Sequence, residues 1–151
     1  MTIHFICRGN VMRSLVADAY LKSLRLKDII VTSSGTIADA DNEKEQAYFT
    51  STLALLKRHG IEAYAKAKPE RLTQQRADNQ DITICMNQIV VDEANKLVTL
   101  PANTENWQIT DIGEGDRILK DGNRLPYEEM IYAEITGKVG HLVQQYKMER
   151  L

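Results

Sequence analysis

The sequence predicts an α/β fold, a three-layer sandwich in which helices cover both faces of a four-stranded parallel sheet. Short apolar segments rich in β-branched residues alternate along the chain with longer amphipathic segments, which is typical of βα units. A length of 151 residues suits one domain spanning residues 1–151. The composition, 43% hydrophobic and 26% charged, excludes disordered, collagen-like and coiled-coil chains.

The first half of the chain predicts two strands and two helices. Ile3–Cys7 is too short and too uniformly apolar for a half-exposed strand, so it predicts a buried one. A helix follows over about residues 13–26, and the β-branched segment Ile29–Ser33 predicts the second strand. Asn42, with Glu45 three residues later, forms the pattern of a capping box and opens the second helix.

The second half continues the alternation. Asp81–Met86 predicts the third strand, Asn87 caps a short helix that runs to about residue 97, and Trp107–Thr110 predicts the fourth strand. Pro126 suits the first turn of a long final helix. The buried stripe of that helix is expected to consist of Ile131, Ile135, Val139, Leu142 and Tyr146.

Charge and cysteine content indicate which classes of binding partner and which cellular compartment to expect. The formal net charge of −2 disfavours nucleic acid and anionic membranes as partners, because both select a basic surface. Two cysteines are too few for a disulfide framework, which favours a reducing compartment. The chain shows neither the run of about 20 apolar residues that spans a membrane nor the pattern of a secretory signal. These features predict a cytoplasmic protein.

A candidate anion site lies between the first strand and the first helix. A loop that leads into a helix N-terminus aims several backbone N–H groups at one point, which suits a tetrahedral oxyanion. Gly9 and Asn10 tolerate the backbone that such a loop requires, and the planar fork of Arg13 can hold two oxygens at once. We therefore expect phosphate to be bound by Arg8, Gly9, Asn10, Val11, Met12, Arg13 and Ser14.

Cys7 stands at the start of this loop. The loop amides, the helix dipole, Arg13 and the Ser14 hydroxyl would all favour its thiolate. A cysteine in such surroundings is a nucleophile rather than a small buried hydrophobe. The same few residues would therefore bind phosphate and attack it.

The chain resembles the low-molecular-weight protein tyrosine phosphatases. In that family a strand leads into a Cys-x-Gly-Asn-x-x-Arg-Ser loop, which is present here as Cys7–Ser14. The family's Ser-Ala-Gly-Thr motif after the second strand is present as Ser33–Thr36, and its apolar third strand matches Asp81–Met86. The family's general acid follows the fourth strand, where this chain has Asp111. The resemblance implies a flavodoxin-like, phosphotyrosine phosphatase I-like fold.

The resemblance also implies a mechanism. Cys7 would attack the phosphorus while Arg13 and the loop amides hold the other oxygens, and Asp111 would protonate the leaving group and later help deprotonate the attacking water. Asn10, Ser14 and Ser33 would support the loop through hydrogen bonds. The expected substrate is a phosphotyrosine-containing protein or a small aryl phosphate, the product is inorganic phosphate, and neither a metal nor a cofactor is required.

The chain departs from the family pattern around the pocket. Asp111 is followed by Ile112 instead of proline, and Asp116 and Asp121 are nearby alternatives for the acid. The aromatic residues that family members carry at the rim are missing. We therefore expect a rim that is apolar only at Ile37 and Ile112 and otherwise acidic, which predicts either weak activity on phosphotyrosine or a preference for a basic peptide.

Three other residues bear on alternative activities. Relatives that cleave phosphoarginine carry Thr at the place of Val11, so Val11 favours a phenyl ring. Met12 replaces the second cysteine of many relatives, and Cys85 is expected in the core, which argues against an arsenate reductase. The remaining alternative is a module on the same scaffold that binds phosphate or a phosphoprotein with little turnover. Such a module would need Cys7 and Arg13 but no acid.

Overall fold

The computed structural model describes residues 1–111 and 124–151. Its four strands, in chain order, are β1 Thr2–Cys7, β2 Ile30–Gly35, β3 Ile82–Cys85 and β4 Thr104–Asn106. The helices of the described residues are α1 Arg13–Ser23, α2 Glu43–Arg58, α3 Gln74–Ala77, α4 Gln88–Leu97 and α5 Leu125–Gln145, with a 3₁₀ turn at Glu62–Tyr64. None of these helices combines the length and apolarity needed to cross a membrane.

The strands form one parallel sheet in the order β2-β1-β3-β4. Helices pack on both faces, so the predicted three-layer α/β sandwich is confirmed. One face of β1 contributes Ile3, Phe5 and Cys7 to the core shared with α1 and α5. The other face contributes Ile6, which packs with Cys85 and with residues of α4. The alternation follows from the two-residue period of a strand.

Local signals in the sequence account for most of the helix boundaries. Asn42 accepts a hydrogen bond from the Glu45 N–H at 3.1 Å, and Asn87 accepts one from the Val90 N–H at 3.1 Å, so both predicted N-caps are confirmed. Pro126 lies in the first turn of α5, as predicted. Helix α1 ends three residues earlier than predicted because Arg25 adopts a positive φ of 51°.

The predicted fourth strand, Trp107–Thr110, is wrong: β4 comprises the preceding residues, Thr104–Asn106. Gln108 has φ 55°, and its N–H donates to the Asn106 side chain at 2.9 Å, so the chain turns there. The segment still follows β3, because the N–H groups of Trp107 and Ile109 donate to the carbonyls of Cys85 and Met86. Asp111 is thereby carried to the carboxyl edge of the sheet.

The buried stripe of α5 is confirmed at Ile131, Ile135, Val139 and Leu142, which are at most 2% exposed. Tyr146 was expected in the same stripe, but it is 39% exposed. The reason is that α5 ends at Gln145, so Tyr146 serves as the C-cap and its side chain leaves the packed face. Gly137 and Gly140 do not interrupt the helix.

Candidate active site

Cys7 ends β1 at the point where the strand order reverses. The chain goes from β1 to β2 on one side and later to β3 on the other, so a crevice opens at the carboxyl end of β1. The structure thus places Cys7 where ligands bind in open α/β sheets. Its side chain is nearly buried, and its sulfur lines a pocket together with Arg13 and Asp111.

Two polar groups lie within hydrogen-bond distance of the Cys7 sulfur. The backbone N–H of Asn10 donates to Sγ at 3.2 Å, and the Ser14 hydroxyl lies 2.9 Å from Sγ. Helix α1 begins at Arg13, so its N-terminus, with the positive end of the helix dipole, faces the same pocket. These surroundings stabilise negative charge on sulfur and on a bound oxyanion.

The Asn10 side chain stabilises the conformation of the loop through hydrogen bonds on the side away from the pocket. Its φ of 55° lies in the left-handed region, where asparagine is tolerated better than most residues. Its side-chain Nδ2 donates to Ser14 Oγ at 2.7 Å and to Ser33 Oγ at 3.1 Å, while Oδ1 accepts the Glu70 N–H at 2.9 Å. The structure thus joins Asn10, Ser14 and Ser33 as the resemblance implied, and it adds Glu70, whose contribution is a backbone group that no side-chain pattern signals.

Gly35 packs directly against the back of the loop. A Cβ atom at this position would lie 2.5 Å from the Arg8 carbonyl oxygen and 2.8 Å from the Asn10 nitrogen. Both contacts are to backbone, so neither can be relieved by a side-chain rotation. The N–H groups of Thr36 and Ile37 donate to the Cys7 and Arg8 carbonyls, which fastens the end of β2 to the loop. The Ser33–Thr36 motif is therefore structural support for the loop.

Arg13 and Asp111 meet in the pocket. Arg13 is 4% exposed; its Nη2 lies 3.6 Å from Asp111 Oδ2, and its Nη1 donates to the Ile109 carbonyl at 3.5 Å. The Asp111 side chain is 22% exposed, so it reaches both the arginine and the open side of the pocket. The alternative acids Asp116 and Asp121, and the rim residue Ile112, lie outside the described residues.

The rim differs from the expectation. Ile37, Val11 and Met12 line the pocket, as the sequence suggested, but Lys44, Glu45 and Tyr48 line it as well. The prediction of a rim apolar only at Ile37 and Ile112 is wrong, because the first two turns of α2 bring a tyrosine to the mouth. The Arg124 guanidinium lies 4.0 Å above the Tyr48 ring. The spacing of Lys44 and Tyr48, four residues apart just after the Asn42 cap, is the signal that sequence reasoning missed.

Arg8 and Glu45 are charged residues at the mouth of the pocket. Arg8 points away from the loop to α4, where its Nε donates to Glu93 at 2.8 Å. This hydrogen bond raises the pKa of Arg8. Burial raises the pKa of Glu45, against the opposing effect of Lys44 and Arg8.

In the described parts of the chain, no three His, Cys, Asp or Glu side chains come together as a metal site.

Comparisons with known proteins identify a family and a fold. The family model described as low molecular weight phosphotyrosine protein phosphatase matches residues 2–149. No curated protein matches the sequence.

Several solved structures share the fold. A low molecular weight phosphotyrosine phosphatase from Vibrio cholerae O395 is 17% identical, with a TM-score of 0.75 and coverage of 97% of each chain. A mutant of YwlE from Bacillus subtilis is 19% identical, with a TM-score of 0.70 and coverage of 97% of this chain and 99% of that one. The Drosophila arginine phosphatase is 20% identical, with a TM-score of 0.70 and coverage of 97% and 98%. At these identities the similarity is one of fold.

Proposed function

The chain belongs to the low molecular weight phosphotyrosine protein phosphatase family, and from this premise we propose that Cys7, Arg13 and Asp111 catalyse its reaction. The protein is a hydrolase of phosphomonoesters that acts on phosphotyrosine. The observation that carries the residue assignment is the pair of polar groups, Asn10 N–H and Ser14 Oγ, that meet the Cys7 sulfur in the pocket that Arg13 and Asp111 also line.

The proposed reaction has two steps. The Cys7 thiolate attacks phosphorus in line and forms an S–P bond, while the bond between phosphorus and the phenolic oxygen breaks and Asp111 donates a proton to that oxygen. A water molecule then attacks the cysteinyl-phosphate, Asp111 takes a proton from it, and the thiolate leaves. Arg13 and the loop amides hold the remaining oxygens throughout and stabilise the charge of the transition state.

The pocket favours an aryl phosphate over phosphoarginine. Val11 lines the pocket with a branched alkyl side chain that offers no hydrogen bond to a guanidinium. Tyr48 adds an aromatic ring, which supports a phenyl ring by stacking or edge contacts. The solved structures of similar fold include proteins described as arginine phosphatases, so phosphoarginine is the competing substrate to exclude. A panel of phosphotyrosine, phosphoarginine and phosphoserine peptides separates these classes.

Substitution of Cys7 and Arg13 tests the chemistry. Cys7→Ser is expected to abolish turnover of para-nitrophenyl phosphate but to retain phosphate binding, because the loop and Arg13 remain. Arg13→Ala is expected to lose both. Calorimetric titration with inorganic phosphate measures the binding, and substantial hydrolysis by Cys7→Ser would exclude a covalent route.

Asp111 separates the enzyme from the alternative binding module. We expect Asp111→Ala to keep a burst with para-nitrophenyl phosphate, whose leaving group needs little protonation. Phenyl phosphate, with a more basic leaving group, should lose about 100-fold or more in rate. Equal losses with both substrates would remove Asp111 from the role of general acid, and no turnover of para-nitrophenyl phosphate by the wild-type protein would favour the module.

An arsenate reductase is disfavoured by the position of the second cysteine. Cys85 is 0% exposed, and its side chain lies on the opposite face of the sheet from Cys7. Burial also raises the pKa of its thiol to about 12. A disulfide relay from Cys7 would therefore lack an accessible second thiol within this chain.

A further inference from the structure

Buried polar contacts continue behind the loop, beyond the residues that the family motif contains. Asp18, in the second turn of α1, is 1% exposed, and its Oδ2 lies 2.5 Å from Ser33 Oγ. A carboxylate can only accept a hydrogen bond, so Ser33 must be the donor. The other oxygen, Oδ1, lies 2.6 Å from Lys22 Nζ.

The hydrogen bond between Asn10 and Ser33 has a defined direction as well. Asn10 Oδ1 accepts the backbone N–H of Glu70, which can only donate, so the orientation of the Asn10 amide is settled. Its Nδ2 group therefore carries the donors that face Ser33 Oγ and Ser14 Oγ. Ser33 accepts from Asn10 because its own proton is already directed to Asp18.

The donor in the contact between Ser14 and Cys7 can now be assigned. Its oxygen accepts from Asn10, and among the described residues the acceptor for its own proton is the Cys7 sulfur at 2.9 Å. If the Cys7 thiol donated to Ser14 instead, the Ser14 proton would be buried without a partner. The sulfur thus accepts from both the Ser14 hydroxyl and the Asn10 backbone amide.

We propose that Asp18 is a positioning residue for the nucleophile: its carboxylate takes the Ser33 proton and fixes the Ser33 oxygen as an acceptor. This oxygen holds the Asn10 side chain where it donates to Ser14, which keeps the Ser14 hydroxyl aimed at the Cys7 sulfur. The inference rests on the proposed function, since it concerns Cys7 as nucleophile. Without the carboxylate, the Ser33 hydroxyl would face Asn10 Nδ2 and, at 3.5 Å, Lys66 Nζ, both of which are donors. Because neither group can accept the Ser33 proton, the Ser33 hydroxyl would be free to rotate, its oxygen would hold Asn10 Nδ2 less firmly, and the hold on Ser14 would loosen.

The test measures thiolate character directly. The rate of Cys7 alkylation by iodoacetamide at pH 6, divided by the rate at pH 9, reports how well the site holds the thiolate without requiring turnover. We expect Asp18→Ala to lower this ratio about 5-fold and to lower kcat/KM for para-nitrophenyl phosphate in parallel. Asp18→Asn keeps an oxygen that can accept from Ser33, so it should stay within about twofold of the wild type.

Two further variants keep the test decisive if Asp18→Ala is less stable. Lys22→Met removes the ion pair but leaves the acceptor for Ser33, so its ratio should equal that of the wild type. Adding Asp18→Ala to Ser33→Ala should cause no further loss, because Asp18 acts through Ser33. Thermal unfolding of each variant separates loss of the fold from loss of the thiolate.

The outcomes distinguish this inference from the proposed function. A wild-type ratio no higher than that of a free thiol would contradict the role of Cys7 as nucleophile. A high wild-type ratio that Asp18→Ala leaves unchanged would overturn the role of Asp18 alone. The same conclusion would follow if Lys22→Met or Asp18→Asn lowered the ratio as much as Asp18→Ala.

Discussion

Cys7 and Cys85 lie at the carboxyl ends of adjacent strands in one sheet, and their side chains are 3% and 0% exposed. Their register differs by one residue, because Cys85 pairs with Ile6. Cys7 therefore faces the α1 and α5 side of the sheet, and Cys85 faces α4. The Cys7 sulfur meets an N–H and a hydroxyl, whereas burial raises the pKa of Cys85 to about 12.

The difference shows that burial by itself disfavours a thiolate, whereas hydrogen-bond donors directed at the sulfur favour one. His4 lies in β1, three residues before Cys7, and is affected by burial as Cys85 is. Burial is the largest cause that lowers the pKa of His4 to about 4, and the charges of Lys66 and Arg76 lower it further. In both cases removal from water disfavours the charged form. Cys7 differs from both in its partners, because the loop places the Asn10 N–H and the Ser14 hydroxyl against its sulfur.

The largest expected contrast is in the reactivity of the two thiols. At about pH 7 a thiol whose pKa is about 12 carries a thiolate fraction of only about 10⁻⁵, and Cys85 is also shielded from reagent. We expect iodoacetamide to modify Cys7 at least about 1,000-fold faster than Cys85 in the folded protein. Peptide mass spectrometry after timed quenching measures both rates.

Three controls accompany this labelling. Inorganic phosphate should slow modification of Cys7 and leave Cys85 unaffected, and both cysteines should react equally in denaturant. Cys85→Ala should retain turnover that Cys7→Ser loses. Comparable rates for the two folded thiols would contradict the contrast.

The second prediction displaces the donors without touching a reactive group. A Cβ at Gly35 would lie within 2.8 Å of the Asn10 nitrogen, the atom that donates to the Cys7 sulfur. We expect Gly35→Ala to lower kcat/KM about 100-fold, since a shift of about 1 Å in a reacting group costs that much. Steady-state kinetics with para-nitrophenyl phosphate measures the loss.

Gly140→Ala is the matched control. Gly140 lies within α5, and a Cβ there meets nothing within 4 Å. The substitution should leave kcat/KM unchanged and raise the free energy of unfolding by up to about 1 kcal/mol. If Gly35→Ala kept wild-type kinetics, the close approach of β2 to the loop would have no catalytic importance.

Much of this site follows from local signals, and the remainder depends on distant contacts. The Cys7–Ser14 loop could be predicted because its residues are contiguous and each has a local conformational reason. The role of Asp18 and the place of Tyr48 could not, since both depend on how α1 and α2 pack around the end of the sheet. The misplaced fourth strand has a local cause: the Gln108 N–H donates to the Asn106 side chain two residues earlier, and this turn follows the end of the strand.

The third prediction concerns pH. The pKa of His4 is about 4 in the folded protein and 6.5 ordinarily, so between these values the unfolded chain binds a proton that the folded protein does not. This contribution to stability is present above about pH 6.5 and is lost as the pH falls to about 4, amounting to about 3 kcal/mol. Urea unfolding at several pH values should show the loss, and His4→Gln, which does not titrate, should lack that part of it. An identical pH dependence in both proteins would show that His4 is not held neutral.

The smallest expected effect comes from removing one of the two donors to sulfur. Ser14→Ala deletes the hydroxyl 2.9 Å from Cys7 Sγ but keeps the Asn10 N–H at 3.2 Å. A hydrogen bond to a charged group contributes about 1.5 kcal/mol or more, so kcat/KM should fall about 10-fold and not to zero. Ser23→Ala is the control within the same helix, because Ser23 Oγ donates to the nearby Tyr20 carbonyl. A loss as large as that of Cys7→Ser would mean that Ser14 holds the whole loop, whereas no loss would mean that the backbone amide and the helix N-terminus suffice to stabilise the thiolate.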